Sequence, residues 1–337
     1  MKKILVIRVG RAGDMVMITP SLLALLDNYP DHELHILTSQ DGKRVLAGFD
    51  SRVTNIYVYE KKRLMKGLAR LRQLKEIRKT KYDYIFNFEL KSSYKKIYRK
   101  LEVNIFELDE TERQLNYAKR CLNVIQKSIH NEMPSYWDWL PVTKNGVDAA
   151  RAQLSSAGVN DTDFVIGMHP SFSGLKKGII SVKNKEYLRE WPPEHFASLA
   201  KLIYRYASDN DINIKIIMDL LPEEQTLGES IVKMSGGVIS LFTDAPNFER
   251  YKATIKRMNL LITPNTGPMH IAAAVKTNIV ALFVDWDPAD CGPYMENKYY
   301  EVLRAEELDD DEIGLKAIKP ENVLDACERF LPKNNNE

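Results

Sequence analysis

No apolar run in the 337-residue chain approaches the roughly 20 residues that a membrane-spanning helix needs. The run that follows Met1-Lys2-Lys3 is broken by Arg8, Arg11 and Asp14, so it reads as a strand and not as a secretory signal. Cysteine is scarce. Cys121, Cys291 and Cys327 lie far apart, form no C-x-x-C pair and have no metal-ligand spacing, which fits a reducing compartment. Glycine-rich nucleotide fingerprints are missing as well. After the first apolar run a G-x-G-x-x-G pattern would need glycines where Ala12 and Met15 stand, and no Gly-Lys-Ser/Thr completes a P-loop. An NAD-dependent nucleotide-sugar epimerase or reductase would need the first of these. Net charge is only +2, but it is unevenly laid out. From Lys61 to Lys100 basic residues crowd together, opposed only by Glu76, Asp83 and Glu89, whereas acid gathers from Glu306 to Glu312. A basic first half points to an anionic partner; the same charges also suit solvated helix faces.

What is present is the pattern of an α/β protein, in a length that allows two domains with a core each. Ile4 to Val9, Glu33 to Thr38, Thr54 to Tyr59 and Tyr84 to Phe88 read as strands. Met15 to Asn28, Leu64 to Lys79 and Ser92 to Leu101 read as helices between them. That alternation predicts a parallel sheet with helices on both faces. Asn131 to Val142, with Pro134, Trp137, Trp139 and Pro141, lacks periodicity and reads as a linker. The pattern then resumes, with a helix from Val147, strands at Phe164–Met168 and Ile212–Met218, a helix from Asn247 to Lys256, and a last helix over Pro320 to Phe330.

Two post-strand loops carry candidate chemistry. Leu260 to Phe283 reads as strand, loop, helix, strand, with the turn Pro264-Asn265-Thr266-Gly267-Pro268 ahead of a small-residue helix. Thr266 suits the cap, Pro268 the first turn, and Gly267 allows a close approach to the backbone. The free N–H groups of such a helix start favour phosphate, and His270 adds a donor one turn in. An ordinary capped helix accounts for the same residues. In the first half, Asp14 lies just past the first strand, where open α/β sheets place ligands. An ionised carboxylate there can take a proton from an alcohol nucleophile, or serve only as a helix cap.

Both loops resemble motifs of the heptosyltransferase family, glycosyltransferase family nine. Asn265-Thr266-Gly267-Pro268-Met269-His270-Ile271-Ala272-Ala273 is similar to its D-T-G-x-x-H-x-A-A, with Asn265 where the family has Asp. Arg8 to Pro20 is similar to its opening strand and G-D-x-x-x-T-x-P, matching at Gly13-Asp14, Thr19 and Pro20. His169-Pro170-Ser171-Phe172-Ser173 resembles its H-P-G-A loop, and Arg189 ahead of Trp191-Pro192 its basic residue before W-P-x-E, with Lys183 and Lys185 as alternatives. Glu223 or Glu224 stands where the family's ribose-binding Glu follows a strand. Asp287-Pro288 and Gly292-Pro293 match the family's last motif, but Val284-Asp285-Trp286 replaces Gly-Pro-Thr. Asp285-x-Asp287 also has the letters of a metal-binding D-x-D, and Asp309-Asp310-Asp311 is a weaker acidic run.

The resemblance implies an α/β chain of the GT-B class, two Rossmann-like domains with a cleft between them. The expected parts are an acceptor domain over 1–143, a donor domain over 144–318 and a closing helix over 319–332 packing back toward the first. It implies a metal-independent, inverting transferase in which Asp14 is the base. Ser171, Ser173, Arg189, Glu223, Glu224, Asn265, Thr266, Gly267 and His270 would hold the donor, with Arg11, Gly13, Lys61, Lys62 and Arg63 on the acceptor side. The family's donor is ADP-heptose and its acceptor a phosphorylated, Kdo-bearing lipid A of the lipopolysaccharide core. No cofactor beyond that co-substrate and no nucleic acid is expected. The location implied is cytoplasmic, peripheral to the inner face of the membrane. A non-catalytic protein that holds anionic glycan or nucleotide is the other reading.

Overall fold

The computed structural model describes residues 2–59, 67–112, 114–136, 140–171, 186–308 and 312–333. They fall into two units, Met1–Leu140 and Pro141–Glu337. In the first, β1 (Lys2–Ile7), β2 (His32–Thr38), β3 (Val53–Val58), β4 (Tyr84–Asn87) and β5 (Asn104–Glu107) form one sheet. All pairs are parallel, in the order β3-β2-β1-β4-β5. β1 is central because Ile4, Leu5, Val6 and Ile7 are apolar on both faces and fully buried. Strand order reverses between β1 and β4, so the loops leaving these two strands flank the crevice that such a reversal opens.

The single helix expected from Met15 to Asn28 is two, Ala12–Val16 and Thr19–Asn28. Pro20 is the reason. It has no N–H to donate to the previous turn and fits the first turn of a new helix. The Thr19 hydroxyl donates to the Val16 carbonyl at 2.7 Å and holds the joint. The two basic helices are Gly67–Lys79 and Ser92–Tyr98. Arg78 donates to the Lys96 carbonyl at 3.2 Å and ties them together. Arg72, Lys75, Arg78, Lys79, Lys95 and Lys96 are exposed on them. Lys61, Lys62 and Arg63 lie outside the described residues, as do Trp137 and Trp139 of the expected linker.

The second unit begins with the helix Lys144–Ser156, capped by the Thr143 hydroxyl, which accepts from the Gly146 N–H at 3.1 Å. Its strands are β6 (Phe164–Met168), β7 (Ile214–Asp219), β8 (Ile239–Phe242), β9 (Leu260–Pro264), β10 (Asn278–Phe283) and β11 (Tyr300–Arg304). They pair in parallel in the order β11-β10-β9-β6-β7-β8. Here the reversal lies between β6 and β9, so the loops after those strands flank the crevice. Both sheets are thus doubly wound, as the alternation predicts. The last helix is Pro320–Cys327. Its apolar stripe, Val323 and Cys327 with Leu331 beyond, is buried in this unit's core with Ile166, Trp191 and Phe196. The segment expected to reach back toward the first domain therefore uses its apolar side within the second. All three cysteines are free thiols.

Candidate active site

Asp14 sits in the first turn of the short helix after β1, with both carboxylate oxygens engaged. Arg8 Nη2 donates to Oδ1 at 2.8 Å and the Arg11 backbone N–H donates to Oδ2 at 2.8 Å. Its side chain keeps about a third of its surface exposed (35%), against 14% for Arg8. Arg8 also approaches Glu89 at 3.6 Å through Nη1 and lies 4.5 Å over the Tyr117 ring. Burial opposes the guanidinium's charge, but the carboxylates of Asp14 and Glu89 outweigh it and hold Arg8 above its usual range. The result is an oriented, partly accessible carboxylate, the requirement for a general base. Arg11 is exposed and Gly13 is buried in the short helix.

Three residues here were not singled out by sequence reasoning as part of the site: Arg8, Gly10 and Glu89. A charged residue directly after the apolar run Ile4 to Ile7 was the available signal for Arg8. For Gly10 there was none, because its reason is steric. A Cβ on Gly10 would stand 2.3 Å from the Asp14 Cβ. Gly10→Ala is therefore expected to displace the carboxylate and lower kcat by about 10²-fold, the scale of a misplaced reacting group, with the fold retained by circular dichroism. Unchanged kcat would show that the loop relaxes without moving Asp14.

In the second unit, the loops after β6 and β9 gather most of the expected donor residues. Thr266 is the cap residue of the helix Gly267–Ala274, with Pro268 in its first turn. Its hydroxyl does not cap: it donates to the Pro264 carbonyl at 3.2 Å and meets the Thr263 hydroxyl at 3.1 Å. The N–H groups of the helix start are thus not covered by the Thr266 side chain. Arg189, at the end of the 3₁₀ turn Glu186–Arg189, donates to the Asn265 carbonyl at 2.9 Å, which brings it to this loop. Asn265 Nδ2 donates to Cys291 Sγ at 3.2 Å, and the amide keeps Oδ1 as an acceptor. Burial pushes the Cys291 thiol up to about 11, so it is protonated at neutral pH. His270 is buried one turn in.

On the β6 side, the Ser171 hydroxyl donates to Glu224 Oε1, and the Leu221 N–H donates to Oε2 at 3.0 Å. Glu224 therefore joins this loop, whereas Glu223 is exposed. Burial holds His169 well below the usual imidazole range despite the pull of Glu224, so its ring is neutral at pH 7. Ser173, Lys183, Lys185 and Asp309 to Asp311 lie outside the described residues. Asp287 caps the helix Pro288–Cys291, accepting from the Ala289 N–H at 2.9 Å. Asp285 adopts φ 62°, a left-handed conformation that Asp tolerates better than most residues, and the tight turn leaves Trp286 about half exposed (49%). Among the described residues no cluster of three His, Cys, Asp or Glu side chains is arranged to hold a metal ion. Among them, too, no helix is long and apolar enough to cross a membrane.

Comparison with known proteins meets this geometry. Residues 112–312 match the model of glycosyltransferase family 9 (heptosyltransferase). Lipopolysaccharide heptosyltransferase 3 of Escherichia coli is 22% identical, over 96% of this chain and 97% of its own. A glycosyltransferase family 9 crystal structure from Veillonella parvula superposes with a TM-score of 0.80 at 21% identity, covering 98% of this chain and 97% of that one. The E. coli heptosyltransferase WaaC with ADP superposes with a TM-score of 0.71 at 14% identity, over 98% and 100% of the two chains. At these identities the structural likeness speaks for the fold, and it bears out the two-domain GT-B reading.

Proposed function

This chain belongs to glycosyltransferase family 9, the heptosyltransferases, and from that premise we propose that it moves a heptose, or a related sugar, from an ADP-activated donor to a hydroxyl of a lipopolysaccharide core acceptor with inversion. That it is a glycosyltransferase follows from the family. The observation that carries the mechanism is the Asp14 carboxylate, held by two donors at the carboxyl end of β1 while still partly exposed. Asp14 takes the proton of the acceptor hydroxyl as its oxygen attacks the anomeric carbon. The bond to the diphosphate breaks on the opposite face, and ADP leaves with the electron pair. The charge that builds on the diphosphate is stabilised by the N–H groups at the start of the helix Gly267–Ala274, by Arg189, by the Ser171 hydroxyl and by His270. Glu224 is suited to the ribose hydroxyls.

Relatives support the donor and acceptor classes: one is a lipopolysaccharide heptosyltransferase, and another, a heptosyltransferase, was solved with ADP. The exposed cations of the two basic helices suit a phosphorylated glycolipid at an anionic membrane surface, such as the inner face of the inner membrane. Asn265 offers an uncharged acceptor to the sugar where a family Asp would offer a charged one, which leaves room for a sugar other than heptose.

A transfer assay tests this reading. Incubated with ADP-heptose and Kdo-bearing lipid A in excess EDTA, the enzyme is expected to release ADP and form a heptoside whose anomeric configuration, read by proton NMR, is opposite to the donor's. Retained configuration would reject direct displacement. Activity lost in EDTA and restored by Mn²⁺ would reject the metal-free scheme, and turnover only with UDP- or GDP-sugars would reject the donor.

A further inference from the structure

The base of this reading is tied to a second carboxylate through one guanidinium. Arg8 presents Nη2 to Asp14 and Nη1 to Glu89. Glu89 is buried (7%) and firmly held. The Val9 N–H donates to its Oε1 at 2.7 Å. Its backbone is clamped by Asn87, whose Oδ1 accepts from the Glu89 N–H at 3.1 Å and whose Nδ2 donates to the Glu89 carbonyl at 3.0 Å. Asn87 is itself fully buried and donates to the Tyr98 hydroxyl at 2.9 Å. Together these contacts aim one carboxylate at the back of Arg8.

We propose that Glu89 is a positioning residue for the transfer reaction, the standing counter-ion of Arg8 that lets Asp14 gain and lose a proton without stranding a buried cation. The inference rests on the reading of Asp14 as the base. With Asp14 and Glu89 ionised, the trio carries one negative charge in excess. When Asp14 takes the acceptor's proton, the trio becomes neutral and Arg8 is still paired. An Arg8–Asp14 pair alone would behave in the opposite way. It would be neutral while the base is ionised, and protonating Asp14 would leave an uncompensated guanidinium among buried groups, which strongly opposes that step. The negative charge of Glu89 also disfavours a second negative charge at Asp14, so it promotes proton uptake at the moment of attack. The other groups around Arg8 do not supply this charge. Burial keeps Tyr117 and Cys121 protonated, Arg120 lies 5.2 Å over the Tyr117 ring, and Arg11 is exposed.

The test is Glu89→Gln, read in two ways. The carbon-13 resonance of the Asp14 carboxyl, assigned by its disappearance in Asp14→Asn, is followed against pH in the unliganded protein, and its midpoint is expected to fall to lower pH in Glu89→Gln. In transfer from ADP-heptose, the acid limb of kcat/KM is expected to move in the same direction and kcat to fall about tenfold, as for a weakened base, with the donor KM unchanged. Glu89→Asp keeps the charge and is expected to restore most of both effects. If Glu89→Gln does not fold, Glu89→Ala, which admits water, carries the same expectation. A midpoint and acid limb that stay where they were overturn the proposal, as does a loss of kcat that Glu89→Asp fails to restore. A native protein that transfers no heptose would instead overturn the proposed function, and the carboxyl titration, which needs no substrate, would still decide the role of Glu89.

Discussion

Asp14→Asn is expected to lower kcat by about 10²–10⁴-fold, the range for removing a general base. The substitution is nearly isosteric. The amide oxygen can accept from Arg8 or from the Arg11 N–H but not from both, so one of the two contacts is lost, while Arg8 keeps Glu89 as a partner at 3.6 Å. What is lost is the negative oxygen that receives the proton. Donor binding is expected to persist, because the groups assigned to it, Ser171, Arg189, Glu224, Asn265 and the start of the helix Gly267–Ala274, belong to the second unit. Steady-state kinetics with calorimetric titration of ADP separates the two effects: kcat falls while ADP affinity stays within about twofold, a change worth roughly 0.4 kcal/mol. Near-normal turnover would remove Asp14 from the mechanism and leave it as the helix-start residue that its Arg11 contact alone would make it.

Trp191→Ala is expected to be the most damaging single truncation in the second unit, lowering its stability by about 3–5 kcal/mol, as for other buried large aromatics. The indole is 1% exposed, stands edge-on to Phe196 at 4.5 Å between centroids, and donates from Nε1 to the Ile318 carbonyl at 2.8 Å. Removing it opens a cavity and takes the indole donor from that carbonyl. The same contact links the start of the helix Pro193–Asp209 to the segment before the last helix. That segment reaches the Arg189 turn: Gly314, at φ 72°, comes so near Leu188 that a Cβ would stand 2.6 Å from the Leu188 carbonyl. Thermal unfolding is expected to show the second unit's transition lowered by roughly 6–20 °C, with the donor KM raised as Arg189 loses its support. Trp191→Phe retains the ring and should recover most of the loss. A transition within a degree or two of the native one would mean that the core closes over the gap.

The alternation of apolar runs and amphipathic helices was enough to read a parallel α/β architecture, because fully buried strands must be apolar on both faces and β1, β6, β9 and β10 are. β5, β8 and β11 escaped that reading for the complementary reason. They lie at sheet edges, as β3 does, are only partly buried, and carry no continuous apolar run. The break at Pro20 was legible in principle, since proline dictates it locally.

The same division holds for the site. Asp14 and the run from Asn265 to His270 were visible because each is a local arrangement, a strand end followed by a helix start, whose chemistry lies in neighbouring residues. The partners of Asp14 were not. Glu89 lies far along the chain and meets Arg8 only because β1 and β4 are adjacent, in a register that sets Ile7 beside Asn87. In a parallel sheet any two strands can be neighbours, since the crossover between them spans a helix or several. Ser171 and Glu224, or Arg189 and Asn265, are paired for the same reason. The amino-acid sequence by itself determined the periodicities, the turn chemistry and the kind of group available at each strand end. Tertiary structure alone decided which of those ends share a crevice, because strand order is set by the packing of whole faces.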